Sequence, residues 1–207
     1  MPLLPRFSDA RRTLRRALSF PVLITVATVL AACAAGNGLT SPASLDNATV
    51  SYSVYAVTGT SNLLPSAYQF STETLVRPRV TTTGALNFDV AFDIDSLGRV
   101  LLLPAKYVVP LPPAGAPQVG LQKMTAGTYD QLTRASLTGY TLDSMQVAVV
   151  GDLYTIQLHD SGCPYGDFFY GKLTVDSIIL SERRIVMRSM VNMNCGYRSL
   201  LDGLPTN

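Results

Sequence analysis

The chain of 207 residues has no tryptophan, a single histidine and three cysteines. Its only glutamates are Glu73 and Glu182, which lie in unrelated segments, so the paired carboxylates of a glycoside hydrolase are missing. With His159 as the only histidine and no G-x-S-x-G elbow, neither a serine nor a cysteine hydrolase assembles from the sequence. Helical periodicity is almost absent. A basic field is missing as well, although the formal charge of +2 conceals this. Five of the sixteen basic residues fall within the first 32 positions, with Asp9 the only acid there. From Cys33 onward eleven Lys and Arg face thirteen Asp and Glu, a net −2, which argues against nucleic acid or anionic lipid as a partner.

What is present begins with a leader. Arg6, Arg11, Arg12, Arg15 and Arg16 precede an uncharged, mostly apolar run from Ala17 to Ala32, a basic n-region followed by an h-region. The run holds about sixteen residues and contains Pro21. A membrane-spanning helix needs roughly twenty, so a cleaved signal peptide over 1–32 fits better.

Leu30-Ala31-Ala32-Cys33 closes that run and resembles the lipobox of bacterial lipoproteins. The resemblance implies cleavage before Cys33, lipid on its thiol and acylation of the freed amine. Two or more acyl chains anchor stably where one does not. Ala34 stands where an aspartate would be the inner-membrane retention signal of some bacteria, which leans towards the outer membrane. Cleavage after Ala35 is the competing reading and would leave a soluble protein. Arg15-Arg16-Ala17-Leu18-Ser19 matches a twin-arginine export signal poorly.

Lipid on Cys33 leaves Cys163 and Cys195 as a pair in an oxidising compartment, where a disulfide is expected. Closing a loop of about thirty residues contributes roughly 3–4 kcal/mol in the chain-entropy model. A metal site using His159, Cys163 and Cys195 with Asp160 nearby is disfavoured in that compartment, and neither metal nor cofactor is expected.

Residues 33–48 are small and polar and read as a lipidated N-terminus with a flexible tether, ahead of one domain over 49–207. Val50, Tyr52, Val54 and Ala56 alternate with polar partners, as do Leu86, Phe88, Val90, Phe92 and Ile94 with Asn87, Asp89, Ala91, Asp93 and Asp95. Asp95-Ser96-Leu97-Gly98-Arg99 supplies turn chemistry into a second strand over 100–109. Further hairpins are expected where Met145–Val150 and Leu153–Leu158 flank Gly151-Asp152, and where Lys172–Leu180 and Ile185–Val191 flank residues 181–184. The proline-rich 110–117 is a loop leading into a strand at Val119–Met124. A capping-box pattern, Thr128 to Gln131, predicts the one short helix. The fold class is all-β, an antiparallel β-sandwich or barrel with that helix.

Three constellations invite chemistry. Asp160-Ser161-Gly162 resembles the Asp-Ser/Thr-Gly motif of aspartic proteases, where two carboxylates share a proton. One copy requires a homodimer, and Cys163-Pro164 departs from the usual continuation, so a polar turn before a disulfide is the simpler reading. Asp93-Ile94-Asp95-Ser96-Leu97-Gly98 resembles the start of a calcium loop, but Leu97 occupies a ligand position and Pro104 replaces the closing glutamate. A looser cation site on Asp89, Asp93 and Asp95 is the alternative, against the simpler reading of a solvated strand face that discourages edge pairing. Tyr165, Phe168 and Tyr170 form a candidate binding surface for a glycan or an envelope protein, against a core role for the cluster with Phe169.

Phe88–Ile94, Val119–Gln122, Tyr170–Ile178 and Asn194–Leu200 resemble segments of uncharacterised exported bacterial lipoproteins, which implies a common β fold and no particular activity. The expectation is a lipid-anchored, non-enzymatic binding or structural module of the cell envelope. Its rival is an envelope hydrolase built on Asp160 and His159.

Overall fold

The computed structural model describes residues 42–80, 85–110, 118–159, 163 and 167–206. Cys33, the leader, residues 160–162 and Tyr165 lie outside them. Among the described residues there are ten strands: β1 (Val50–Tyr55), β2 (Ala67–Gln69), β3 (Thr74–Val76), β4 (Val90–Ile94), β5 (Val100–Pro104), β6 (Gln118–Lys123), β7 (Gln146–Ala148), β8 (Leu153–His159), β9 (Phe169–Ile179) and β10 (Arg184–Asn192). They form two antiparallel five-stranded sheets, ordered β1-β10-β9-β8-β6 and β3-β2-β4-β5-β7. This is a β-sandwich.

Its main core lies between the sheets, because alternation sends every second side chain inward. Val54, Ile156, Leu158, Leu173, Val175 and Met187 of the first sheet meet Tyr68, Val90, Phe92, Ile94, Val100 and Leu102 of the second. A smaller cluster of Ala67, Leu86, Phe88, Ala91 and Ala105 fills the outer side of the second sheet. A third covers the outer side of the first, where Tyr170 and Met190 meet Ala135 and Leu200.

The β4–β5 hairpin forms as its turn chemistry predicts, with Gly98 at φ +76 and Asp95 accepting bonds from the Leu97 and Arg99 amides at 2.9 Å each. The β9–β10 hairpin also forms, closed by a 3₁₀ turn at Leu180–Glu182. Arg183 then takes a left-handed φ of +49. Its guanidinium offsets that strain by bonding the Thr58 carbonyl at 2.8 Å, the Ile94 carbonyl at 2.7 Å and Asp93 at 3.1 Å.

Several expectations are corrected. The alternation in β4 starts only at Val90, because Leu86 and Phe88 turn outward to the second cluster. The expected strand over 100–109 stops at Pro104 and becomes the helix α1 (Ala105–Val108). Pro104 has a φ of −54 and sits just before the first turn, where the ring fits. The helix expected at Thr128 is a single turn. Gln131 Oε1 does accept the Thr128 amide at 3.0 Å, half of a capping box. The chain leaves that turn because Arg134 bridges Ser199 and the Ala135 amide donates to the Arg198 carbonyl at 2.9 Å.

Gly151-Asp152 does not close a hairpin. β7 pairs with β5 and β8 with β6 and β9, so the turn carries the chain from one sheet to the other. Residues 42–48, expected within the flexible tether, belong instead to the compact unit that begins at Pro42. The Ala43 amide donates to the Tyr197 hydroxyl, and those of Ser44 and Leu45 donate to Asn194 Oδ1 at 2.8 and 3.1 Å. Asn47 and Gly203 exchange two backbone bonds of 2.9 Å.

The unit therefore has two poles. One gathers residues 42–47, the end of β10 and the Cys163–Cys195 disulfide, with Cα atoms 5.5 Å apart. The other carries the β4–β5 and β9–β10 hairpin tips, which Arg183 ties together.

Candidate functional site

The candidate residues of the sequence separate in space. His159 ends β8 in an exposed position beside edge strand β6, with its ring 5.6 Å from Phe168. Asp160, its supposed partner, lies outside the described residues. Cys163 and Cys195 are joined, which removes both from thiolate chemistry. Among the described residues no three His, Cys, Asp or Glu side chains gather as a metal site would require.

The aromatic surface is corrected in part. Tyr170 is buried at 4% exposure in the third cluster, 6.4 Å from Tyr140, where it seats the outer layer on the sheet. Phe168 is half-buried between His159 and Tyr170. Only its remaining face is open to solvent.

Nor do the three aspartates share a solvated face. Asp89 is buried and accepts the Phe70 amide at 2.6 Å. Asp93 binds Thr58 and Arg183, and Asp95 binds Arg99. Its bonds from the Arg99 amide and side chain hold the Asp95 carboxyl below the usual carboxylate range. Each carboxylate has a separate structural task.

The geometry supplies a different site. Two segments distant in sequence, 57–66 and 77–79, enclose a cleft of about 260 Å³. Its polar lining is Thr60, Ser61, Asn62, Ser66, Arg77 and Arg79, and its apolar lining is Val57, Leu64 and Pro78. The walls meet because Ser66 donates its amide to the Val76 carbonyl at 3.1 Å, extending the β2–β3 pairing. β1 delivers the first wall and β3 the second, both running towards the pole of the hairpin tips. The cleft thus sits away from residues 42–47.

Both walls are fixed locally. Thr60 Oγ1 donates to the Ala56 carbonyl at 2.6 Å, the Leu64 amide donates to the Ser61 carbonyl at 3.0 Å, and the Leu63 amide donates to Ser61 Oγ at 3.2 Å. On the other side one amide side chain does most of the holding. Asn87 accepts the Arg79 amide at 2.7 Å and donates to the Arg77 carbonyl at 2.8 Å. Pro78 restricts the backbone between them. Strand-like alternation puts Arg77 and Arg79 on one side of that segment.

Sequence reading missed this cleft, since nothing local joins residue 61 to residue 79. The alternating Arg77-Pro78-Arg79, with no acid between Glu73 and Asp89, was the available signal.

Two buried polar features were equally silent. Lys172, 4% exposed, donates to the Tyr129 and Leu132 carbonyls at 2.9 and 3.0 Å and lies 4.4 Å from the Tyr129 ring centre. Burial lowers its pKa. It pins the 125–135 segment onto the outer face of the first sheet. Tyr52 and Tyr68 stack across the sheets with ring centres 4.3 Å apart, and burial pushes the Tyr68 hydroxyl up to about 12. Both features hold the fold rather than offer chemistry.

Comparison of the chain with models of known protein families, with curated proteins and with solved structures finds no match.

Proposed function

We propose that the chain is a lipid-anchored lipoprotein of the cell envelope, held through Cys33, whose β-sandwich is a non-enzymatic binding module. The observation that carries this reading is the cleft between 57–66 and 77–79. It combines hydroxyl, amide and guanidinium donors on two backbone segments that their own hydrogen bonds fix in place. A few fixed polar groups beside apolar side chains are what orients a ligand in a cleft. The cleft lies at the pole opposite residues 42–47, clear of the segment through which a tether would enter the domain. The arginine-rich leader, its apolar run and the Leu30-Ala31-Ala32-Cys33 box support the anchor. Partners are the membrane, through the lipid, and an envelope glycan or protein.

Mass spectrometry of the N-terminal peptide tests the anchor. Acylated Cys33 is expected, and an unmodified start at Gly36 would sink it. The module itself is tested by incubating the purified protein with envelope fractions. It should retain a ligand unchanged, and a turnover that Asp160→Asn abolishes would replace the module with the hydrolase.

A further inference from the structure

We infer that the cleft is a site for an anionic, hydroxyl-bearing ligand the size of a sugar acid or sugar phosphate, with Arg77 and Arg79 binding its charge. The inference rests on the binding-module reading and gives it a ligand class.

Four of the eight described arginines lack a carboxylate partner, Arg77, Arg79, Arg134 and Arg198, and of these only Arg77 and Arg79 line the cleft. Arg99, Arg183, Arg184 and Arg188 each lie against a carboxylate, of Asp95, Asp93, Glu182 and Asp176 respectively. Among the described residues Arg77 and Arg79 form no ion pair, and no carboxylate lines the cleft. Two like charges two residues apart repel. A bound anion relieves that repulsion. Guanidinium donors suit carboxylate and phosphate oxygens, which accept two parallel bonds at once.

The remaining lining narrows the ligand. Thr60, Ser61, Asn62 and Ser66 carry hydroxyls and an amide that both donate and accept, the complement of a polyol. Asn62 is exposed at the rim, whereas Ser66 is buried at 7% exposure. A volume of about 260 Å³ falls just under the range of roughly 300–1,000 Å³ typical of drug-sized sites, so one ring with its charged substituent is the natural fit. Asn87 is the positioning residue. By holding the Arg77 carbonyl and the Arg79 amide it spares the ligand the entropy of ordering that segment.

The test is calorimetric titration of the purified protein with glucuronate, glucose 6-phosphate and glucose at low ionic strength. Both anions should bind, each at least about tenfold tighter than glucose, and added salt should weaken them. Whichever anion binds tighter identifies the headgroup. Arg77→Gln and Arg79→Gln should each lower anion affinity by about tenfold or more. Arg99→Gln, at the hairpin tip, should leave it unchanged, with thermal unfolding confirming that every variant is folded. Glucose binding as tightly as glucuronate, indifferent to both arginine changes, would overturn the anionic site and leave a neutral-ligand module standing. No binding of any of the three at about 10 mM would overturn the cleft as a sugar-sized site. Conversion of a bound anion to product would uphold the site while overturning the non-enzymatic reading.

Discussion

Lys172 shows how a single residue can set a pH dependence. Its ammonium group is held inside the outer layer by two carbonyls and an aromatic face, yet desolvation still disfavours its charge. A base whose folded pKa is depressed is bound by a proton more often in the unfolded chain. Stability therefore rises with pH from the folded value up to the unfolded one, about 10.4. Urea unfolding at pH 8 and 10 should show wild type gaining stability relative to Lys172→Met across that interval. A constant difference between the two proteins would contradict this. At neutral pH the variant should be weaker by about 1–3 kcal/mol, because the Tyr129 and Leu132 carbonyls lose their donor. None of this was visible in the sequence, where Lys172 sits in an ordinary strand and its partners lie some forty residues earlier.

Among elements, the β9–β10 pair contains the tightest constraint on sequence. A Cβ on Gly171 would stand 2.5 Å from the Met190 carbonyl oxygen of the facing strand, so the backbone itself must move. Gly171→Ala should destabilise the domain by about 1–3 kcal/mol, as overpacking does, and speed amide exchange along Tyr170–Leu173 and Ser189–Asn192. Exchange as slow as in wild type would refute the close approach.

Elements were readable where the deciding interactions are local. The β4–β5 hairpin is specified by Asp95 and Gly98 within its own turn, and β9–β10 by two apolar runs around a short polar link. Elements were misread where distant pairing decides. Gly151-Asp152 has the composition of a hairpin turn, but which strands flank it across the sheets depends on β5 and β9. Thr128–Gln131 has helical caps, yet the bridge from Arg134 to Ser199 extends the chain just beyond. The cleft belongs to this second group, since Arg77 meets Ser61 only once β2 and β3 have paired.

At the scale of the molecule, the sandwich-or-barrel class followed from short alternating strands and the near-absence of helical periodicity, whereas the domain's first residue did not. Small polar residues such as Ala43, Ser44 and Asn47 look like linker in composition. They are nonetheless structural, because Asn194 Oδ1 accepts two of their amides and Asn47 Nδ2 donates to the Ser199 and Leu201 carbonyls at 3.1 and 3.0 Å. Deleting residues 42–48 should cost about 4 kcal/mol or more, given at least four hydrogen bonds at about 1 kcal/mol net each. A chemical-denaturation midpoint unchanged by the deletion would return the segment to the tether.

The paired bonds between Asn47 and Gly203 bring the two ends of the domain together, so its backbone approximates a closed ring. A reporter fused at Thr206 would therefore stand at the pole of residues 42–47. Such a reporter would report on that pole alone, and only one inserted at Leu97 or Leu180 would report on the far side, where the cleft lies.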